Sequence, residues 1–338
     1  MKRLLAVLLL VLPACASTPA RIEPLPQPPA RTGLELALSC TVSLVVEGDR
    51  GNDSFGSGVI LDRSGRIATV HHVVQDATRV TVLLAGGYTV RAHVLASDPV
   101  SDFALLQAEA FLPDRMAPAV LAQHEPRPGE AVYSVGNPFG LSRFGGAPSV
   151  AHGVVSAVGR CYFNDETGRL YLGALQHDAP TNPGNSGGGV YDSEGRLLGL
   201  NALITTTRDL PGDSGVAFAI PAARVRDLAE RLLAGETIRH GWLGALSYKQ
   251  ATEIFPAGHG RLRTVFGVLS PGGPAEAAGI QPGDVLLRLD ADEIYGMHDL
   301  LSREDRLEAG RVLAVEVNRA GRELGLSLRV GLRPWPGQ

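Results

Sequence analysis

From about Leu36 to Pro221 the chain repeats one pattern, a short run rich in Val, Leu, Ile and Ala followed by a turn signal and another run. TVSLVVEG, GSGVILDRSGRIATV, RVTVLLAGGYTVRAHVLA, DFALLQ and EAVYSVGNPFG succeed one another this way, and VSAVG, GRLYLGALQHD, GGVYDSEGRLLGLNALI and SGVAFAIP continue the series. Almost none of it has the apolar spacing of three to four residues that a surface helix needs. Asp62-Arg63-Ser64-Gly65 and Ala85-Gly86-Gly87-Tyr88 read as hairpin connections between strands. Aromatic residues are only 5% of the chain, against 41 Gly and 23 Pro. Short antiparallel strands joined by many tight turns, as in β-barrels, suit that balance.

The pattern changes at Pro221, where PAARVRDLAERLLAG carries apolar residues at helical spacing and stops at Gly235, a fitting C-terminal cap. Beyond it, His240 to Arg333 reads as a second domain: two short strands, then SPGGPAEAAGIQPGDVLLRL, a helix from about Met297 to Leu307, and the strands VLAVEV and ELGLSLRV. Ala275 to Ala278 suits a short helix closed by Gly279, and Pro282-Gly283-Asp284 a turn feeding a strand. A length of 338 residues agrees with two domains at ~150 residues each. With 44% hydrophobic and 20% charged residues the chain can build cores. Its net charge of -4 is spread throughout, so no basic face recommends nucleic acid.

The N-terminus reads separately. Lys2 and Arg3 precede the apolar run Leu4 to Leu12, which as a helix would rise about 14 Å, less than half a hydrocarbon core of ~30 Å. Residues 1–14 are therefore expected to be a secretory signal and not a membrane span. Leu12-Pro13-Ala14-Cys15 resembles a bacterial lipobox, which would make Cys15 a lipidated first residue; Ala14-Cys15-Ala16 also meets the small-x-small rule of ordinary cleavage. We adopt the lipid anchor as the expectation, with a membrane as the resulting partner. Thr18 to Arg31 holds five prolines, so residues 15–33 are expected to act as a semi-rigid spacer. Cys40 and Cys161 are expected to be two separately buried thiols, their pairing being the alternative.

One segment resists a purely structural explanation. TNPGNSGGGV, Thr181 to Val190, surrounds Ser186 with permissive backbone. A serine hydroxyl is a poor nucleophile unless a base, itself oriented by a third group, stands beside it. ATVHHVV supplies His71 and His72 at a strand end, and DPVSDFALL supplies Asp98 and Asp102 at the start of another. The chain order His, Asp, Ser is that of the two-barrel, chymotrypsin-like fold.

SFGSGVILD, ATVHHVV, SDFALLQ, SVGNPFGL, DAPTNPGNSGGGV and GVAFAIP, in this order, resemble the characteristic segments of the HtrA (Deg) family of serine proteases. The resemblance runs from about Leu38 through Leu328. It implies a mostly β protein in which a double six-stranded antiparallel barrel, residues 34–236, is followed by a PDZ domain, residues 240–333. Carried over, the base falls on His72, which precedes Val-Val, and not on His71. The acid falls on Asp102, with Asp98 a turn residue before Pro99, and the nucleophile on Ser186. Gly184, Asn185 and Ser186 are then expected to form the oxyanion hole, a role that requires a tight turn.

Pro180 and Thr181, expected at the base of the specificity pocket, carry no charge, which disfavours a cationic substrate side chain. Small or aliphatic residues are expected instead, as the resemblance also implies. Asn185 cannot pair with a new N-terminal ammonium, so activation by that route is excluded. Gly140 to Gly153 and Leu203 to Gly215 read as exposed loops able to order or collapse. The resemblance further places a peptide-carboxylate site on the backbone of Gly241 and of Trp242, Leu243, Gly244 and Ala245. At Asp290-Ala291-Asp292 the chain lacks the Gly that commonly follows the acidic residue. Trimerisation rests on resemblance alone, because Thr32 to Leu44 has none of the family's aromatic residues.

The expected activity is thus a cell-envelope serine endopeptidase acting on unfolded or mislocalised proteins and regulated by C-terminal peptides. No cofactor or metal is called for. The alternative is a non-catalytic binding or chaperone protein, and His72, Asp102 and Ser186 are what separate the two.

Overall fold

The computed structural model describes residues 32–48, 53–145, 147–164, 167–204, 214–254 and 259–334. The expected signal, the Cys15 lipobox, the proline-rich spacer and most of the segment from Leu203 to Gly215 lie outside them.

The first described element is a helix where the sequence reading expected only barrel strands. α1 (Gly33–Cys40) starts at Thr32, whose Oγ1 accepts from the Glu35 amide at 3.3 Å while Glu35 Oε2 accepts from the Thr32 amide at 2.6 Å. This reciprocal cap satisfies amides that would otherwise be orphaned at a helix start.

The strands that follow form a closed barrel: β1 (Thr41–Gly48), β2 (Asp53–Ile60), β3 (Arg66–Thr69), β4 (Ala77–Leu84), β5 (Tyr88–Asp98) and β6 (Phe103–Ala108), in the order β1-β2-β3-β6-β5-β4. The helix α2 (His71–Val74) bridges β3 and β4. Alternation of apolar residues turns Val42, Leu44, Val59, Ile67, Phe103 and Leu105 inward, all at most 2% exposed. Burial of each such side chain stabilises the fold by about 1.5–3 kcal/mol.

The short strand β7 (Val120–Leu121) leads to β8 (Ala131–Gly136), the helix α3 (Ser142–Gly145), β9 (Ser149–Asn164), β10 (Arg169–His177), β11 (Gly189–Tyr191), β12 (Arg196–Ile204) and β13 (Ala217–Pro221). Their order β11-β8-β9-β10-β13-β12 is closed by a β11–β12 pairing into a second six-stranded barrel, with β7 added parallel to β12. The architecture is the mostly β, two-barrel chymotrypsin-like fold. The expected loop from Gly140 to Gly153 is corrected at its end, because residues from Ser149 onward already pair with β8. α4 (Ala222–Leu233) buries Val225, Leu228 and Ala229, the face its spacing marked out.

The C-terminal body holds β14 (Gly241–Trp242), β15 (Tyr248–Ile254), β16 (Gly260–Phe266), α5 (Pro274–Ala277), β17 (Val285–Leu289), β18 (Asp292–Glu293), α6 (Gly296–Glu304), β19 (Val312–Arg319), β20 (Arg322–Arg329) and β21 (Gly331–Leu332). Its main sheet runs β15-β16-β17-β19-β20 over a core of its own that includes Leu243, Phe266, Leu286, Leu300, Val315 and Leu328. Three strands, not two, precede α5. The Asp290 turn forms without the usual Gly: Asp290 takes φ 51° and its Oδ1 accepts from the Ala314 amide at 2.9 Å. Asp tolerates that left-handed conformation better than most residues, and the bond to Ala314 on β19 holds it there.

Both described cysteines are free thiols. Cys40 is buried, and burial pushes its thiol up to about 11. Cys161, expected to be buried, is only half-buried, its Sγ 3.0 Å from His298 Nδ1 across the junction with the C-terminal body.

Candidate active site

β3 ends at Thr69, and the single turn of α2 aims two backbone amides at the β5–β6 connection. His71 N–H donates to the Asp102 carbonyl at 3.1 Å and His72 N–H to Asp102 Oδ1 at 3.0 Å. The His72 ring completes the arrangement, Nδ1 lying 2.8 Å from Asp102 Oδ2. Asp102 is fully buried and takes φ 52°, a conformation costing on the order of 1 kcal/mol that persists only when its surroundings hold it. Burial alone would raise the Asp102 carboxyl, but His72, Arg169 and Tyr171 hold it below its ordinary value. Asp98 instead meets His240, and at His71 it is the backbone N–H that reaches the Asp102 carbonyl.

Ser186 comes from the second barrel, in the turn between β10 and β11. It is half-buried, and its carbonyl accepts from the Ser57 amide of β2 at 2.9 Å. A Cβ on the next residue, Gly187, would lie 2.2 Å from both Ser57 O and Thr69 Oγ1. The nucleophile turn is thus pressed against the strand end that leads into His72. No hydrogen bond joins His72 to Ser186 among the described residues, and such bonds are often open before substrate binds.

The turn is fixed through its carbonyls. Ser57 Oγ donates to Gly184 O at 2.8 Å, and Phe139 N–H donates to Pro183 O at 2.7 Å. No described peptide is cis, so the Gly184 N–H points opposite to that Pro183 carbonyl. Neither the Gly184 nor the Ser186 amide donates to another group among the described residues. Gly184 has φ +98° and its Cβ position lies 2.2 Å from Asn137 O, so glycine is required. Asn185 is a correction: its amide donates to Asn182 O at 3.0 Å, closing the turn, and cannot serve an oxyanion.

Pro180, expected at the pocket base, is exposed, whereas Thr181 is buried with Oγ1 on Ala179 O at 2.9 Å. Behind the turn, Gly187 N–H donates to Asn201 O at 2.7 Å, Asn201 N–H donates to Gly188 O at 2.8 Å, and Asn201 Oδ1 lies 3.1 Å from His177 Nε2. Sequence reasoning missed Ser57, Tyr171, Arg169, His177 and Asn201. Ser57 lies within SFGSGVILD, but nothing in that segment marks it as a brace.

His124, Glu130 and Asp192 bring ligand atoms within 4.8 Å of one another. The Asp192 oxygens, however, already accept from the Glu194 and Arg196 amides and from Arg196 Nε at 2.7 Å. A guanidinium in that position opposes a cation.

The expected carboxylate loop is buried throughout, from Gly241 to Ala245. Its Leu243 amide is already in use, donating to Glu304 Oε1 at 2.7 Å, while Tyr248 Oη donates to the same oxygen at 3.2 Å and Arg333 Nη2 stands 3.0 Å from Oε2. Trp242 Nε1 donates to Ala245 O at 3.0 Å. Glu304 ends α6, and the same helix reaches the Asp102 turn. Leu301 packs on Val100 and Leu170, and Asp305, one residue beyond the helix, lies 2.5 Å from His240 Nδ1 and 3.2 Å from Arg224. His240 Nε2 in turn lies 2.9 Å from Asp98 Oδ2, and Arg224 donates to Ser101 Oγ at 3.0 Å.

Residues 56–200, which carry His72, Asp102 and Ser186, match the trypsin-like peptidase domain. Proteins described as probable periplasmic serine endoprotease DegP-like are 34% identical in Pseudomonas fluorescens, over 85% of this chain and 58% of theirs, and 36% identical in Pseudomonas fulva, over 84% and 57%. Among solved structures, the HtrA-type protease AlgW with tripeptide superposes with TM-score 0.71 and 29% identity, over 90% of this chain and 97% of that one. The chain belongs to the HtrA family. The serine endoprotease from Yersinia pestis is also similar, with TM-score 0.65 and 26% identity. This HtrA-family chain spans 58% of the length of the Pseudomonas fluorescens relative, and its similarity to AlgW extends through the C-terminal body as well as the barrels.

Proposed function

We propose that this chain is a serine endopeptidase of the cell envelope. The observation that carries the reading is half-buried His72 paired with buried Asp102 beside a serine turn with two amides that find no acceptor among the described residues. In this mechanism His72 Nε2 takes the Ser186 proton as Oγ attacks the scissile carbonyl carbon, and Asp102 stabilises the imidazolium. The developing oxyanion accepts from the Gly184 and Ser186 amides, each worth about 3 kcal/mol in the transition state. His72 then protonates the leaving amine, and a water completes hydrolysis of the acyl-enzyme. Unfolded proteins are the proposed substrates, cleaved after small or aliphatic residues. The absence of charge at Pro180 and Thr181 supports that preference.

The relatives described as periplasmic support the location, and Cys15 is the proposed lipid anchor. Mass spectrometry of the mature N-terminus tests the anchor.

Residues 240–333 are proposed to be a PDZ domain that binds C-terminal peptides and regulates the protease. Its loop is self-liganded, so an incoming carboxylate must displace Glu304 from the Leu243 amide. Because α6 carries Glu304 at one contact and Leu301 at the other, with Asp305 immediately after it, displacement would reach the turn that holds Asp102.

Degradation of unfolded casein by the full chain and by Ser186→Ala tests the central reading. Loss of cleavage in the variant is expected. Equal degradation by both, or none by either with or without a C-terminal peptide, would favour a non-catalytic binding protein.

A further inference from the structure

His72 and Asp102 lie on the first barrel and Ser186 on the second, so their alignment depends on a register that neither sheet fixes alone. β10 bridges the two. Its last residue, His177, stands nine positions before Ser186, and its first three residues reach across to the Asp102 turn. Arg169 Nε lies 3.4 Å from Asp102 Oδ1, Leu170 N–H donates to Val100 O at 2.7 Å, and Tyr171 Oη donates to Asp102 Oδ2 at 2.8 Å.

Asp102 Oδ2 is therefore shared between His72 Nδ1 and a phenol from the other barrel. Tyr171 is 4% exposed and its ring stacks on Tyr162 at 6.4 Å. Burial, and then the Asp102 charge, push the phenol far above its ordinary range, so it remains a donor at every working pH. The other charged or titratable groups facing the site are His71, His72, Asp98 and Arg169. A strand tyrosine that only filled the core would not need its hydroxyl on a buried carboxylate.

We infer that Tyr171 and Arg169 are positioning residues that pin Asp102 to the second barrel and draw charge from its carboxylate. The inference rests on the assignment of His72, Asp102 and Ser186 made above. A hydrogen bond to a charged group is strong enough that its loss costs about tenfold in rate. Without the donor the carboxylate keeps more charge, the imidazole holds its proton to higher pH, and the acid limb of the rate profile moves upward.

The test uses the full chain, Tyr171→Phe, which retains the stacked ring, and Arg169→Gln. kcat and KM on a fluorogenic casein peptide are measured against pH, and the His72 ring is titrated by ¹⁵N NMR. Expected are a kcat lower by about tenfold, little change in KM, and a His72 midpoint displaced to higher pH in both variants. A uniform loss of rate with an unmoved His72 midpoint would overturn the inference, as would unchanged kinetics. If the wild type turns nothing over, the protease reading fails by itself, and the NMR midpoint still decides whether Tyr171 and Arg169 act on Asp102.

Discussion

Two glycine-bearing loops of this protein are proposed to receive an anion on their backbone amides, and they differ in what already stands there. Among the described residues no group accepts from the Gly184 and Ser186 amides, and Ser186 keeps partial contact with solvent. At Trp242 to Ala245 the loop is buried, and the Leu243 amide is held by Glu304. An amide orphaned in the interior costs about 1–3 kcal/mol. Water can satisfy a donor at the catalytic surface, whereas the inner loop is filled by the chain itself. The two loops thus differ in that the proposed oxyanion amides have no side chain on them among the described residues, whereas the proposed carboxylate loop already holds one of the chain's own.

The largest expected effect breaks the open loop at its nucleophile: Ser186→Ala should lower kcat on casein by about 10⁶-fold. Gly184→Ala is a finer cut. Its new Cβ would meet Asn137 O at 2.2 Å and rotate the peptide, lowering kcat by about 10²–10³-fold in a fold left intact by circular dichroism.

A third prediction concerns the contact that ties α6 to the Asp102 turn. Burial would lower the His240 imidazole, but the hydrogen bonds and charges of Asp305 and Asp98 raise it to about 9 from an ordinary 6.5. A raised value means the stabilisation is fully present below pH 6.5 and is lost as pH rises through 9. Urea unfolding should register a loss of about 3 kcal/mol by pH 10 that His240→Asn does not share. The smallest effect opens the filled loop. Glu304→Ala combined with Arg333→Met, which removes both charges of the pair, should tighten binding of a decapeptide ending in Leu-Val about tenfold, with no gain for its C-terminal amide.

The contrast between loops also marks how far the sequence could be read. The antiparallel barrel strands follow from alternation and turn residues, whereas the choice of His72 over His71 and of Asp102 over Asp98 comes from the resemblance to HtrA segments. α1 was signalled by Thr32 and Glu35 at capping spacing, but a helix of eight residues offers little periodicity to find. Tyr171 was invisible because a tyrosine in a strand looks like any core aromatic. Glu304 was hidden because its partner lies 61 positions away and charged residues at helix ends are ordinarily solvated. Asn185 was misassigned because sequence order cannot tell which amides in a turn face inward. Tertiary pairing of polar groups, and not secondary structure, is what the pattern of residues left unread.

The central claim is that the Gly184 and Ser186 amides stand ready for an oxyanion with no peptide bound. Labelling the full chain with a fluorophosphonate, without added peptide, tests it most directly, because phosphonylation needs both the activated hydroxyl and the amide pair. One equivalent on Ser186, absent in Ser186→Ala and slowed about 10²-fold in Gly184→Ala, is the expected result. Labelling that begins only after a C-terminal peptide is added would contradict it.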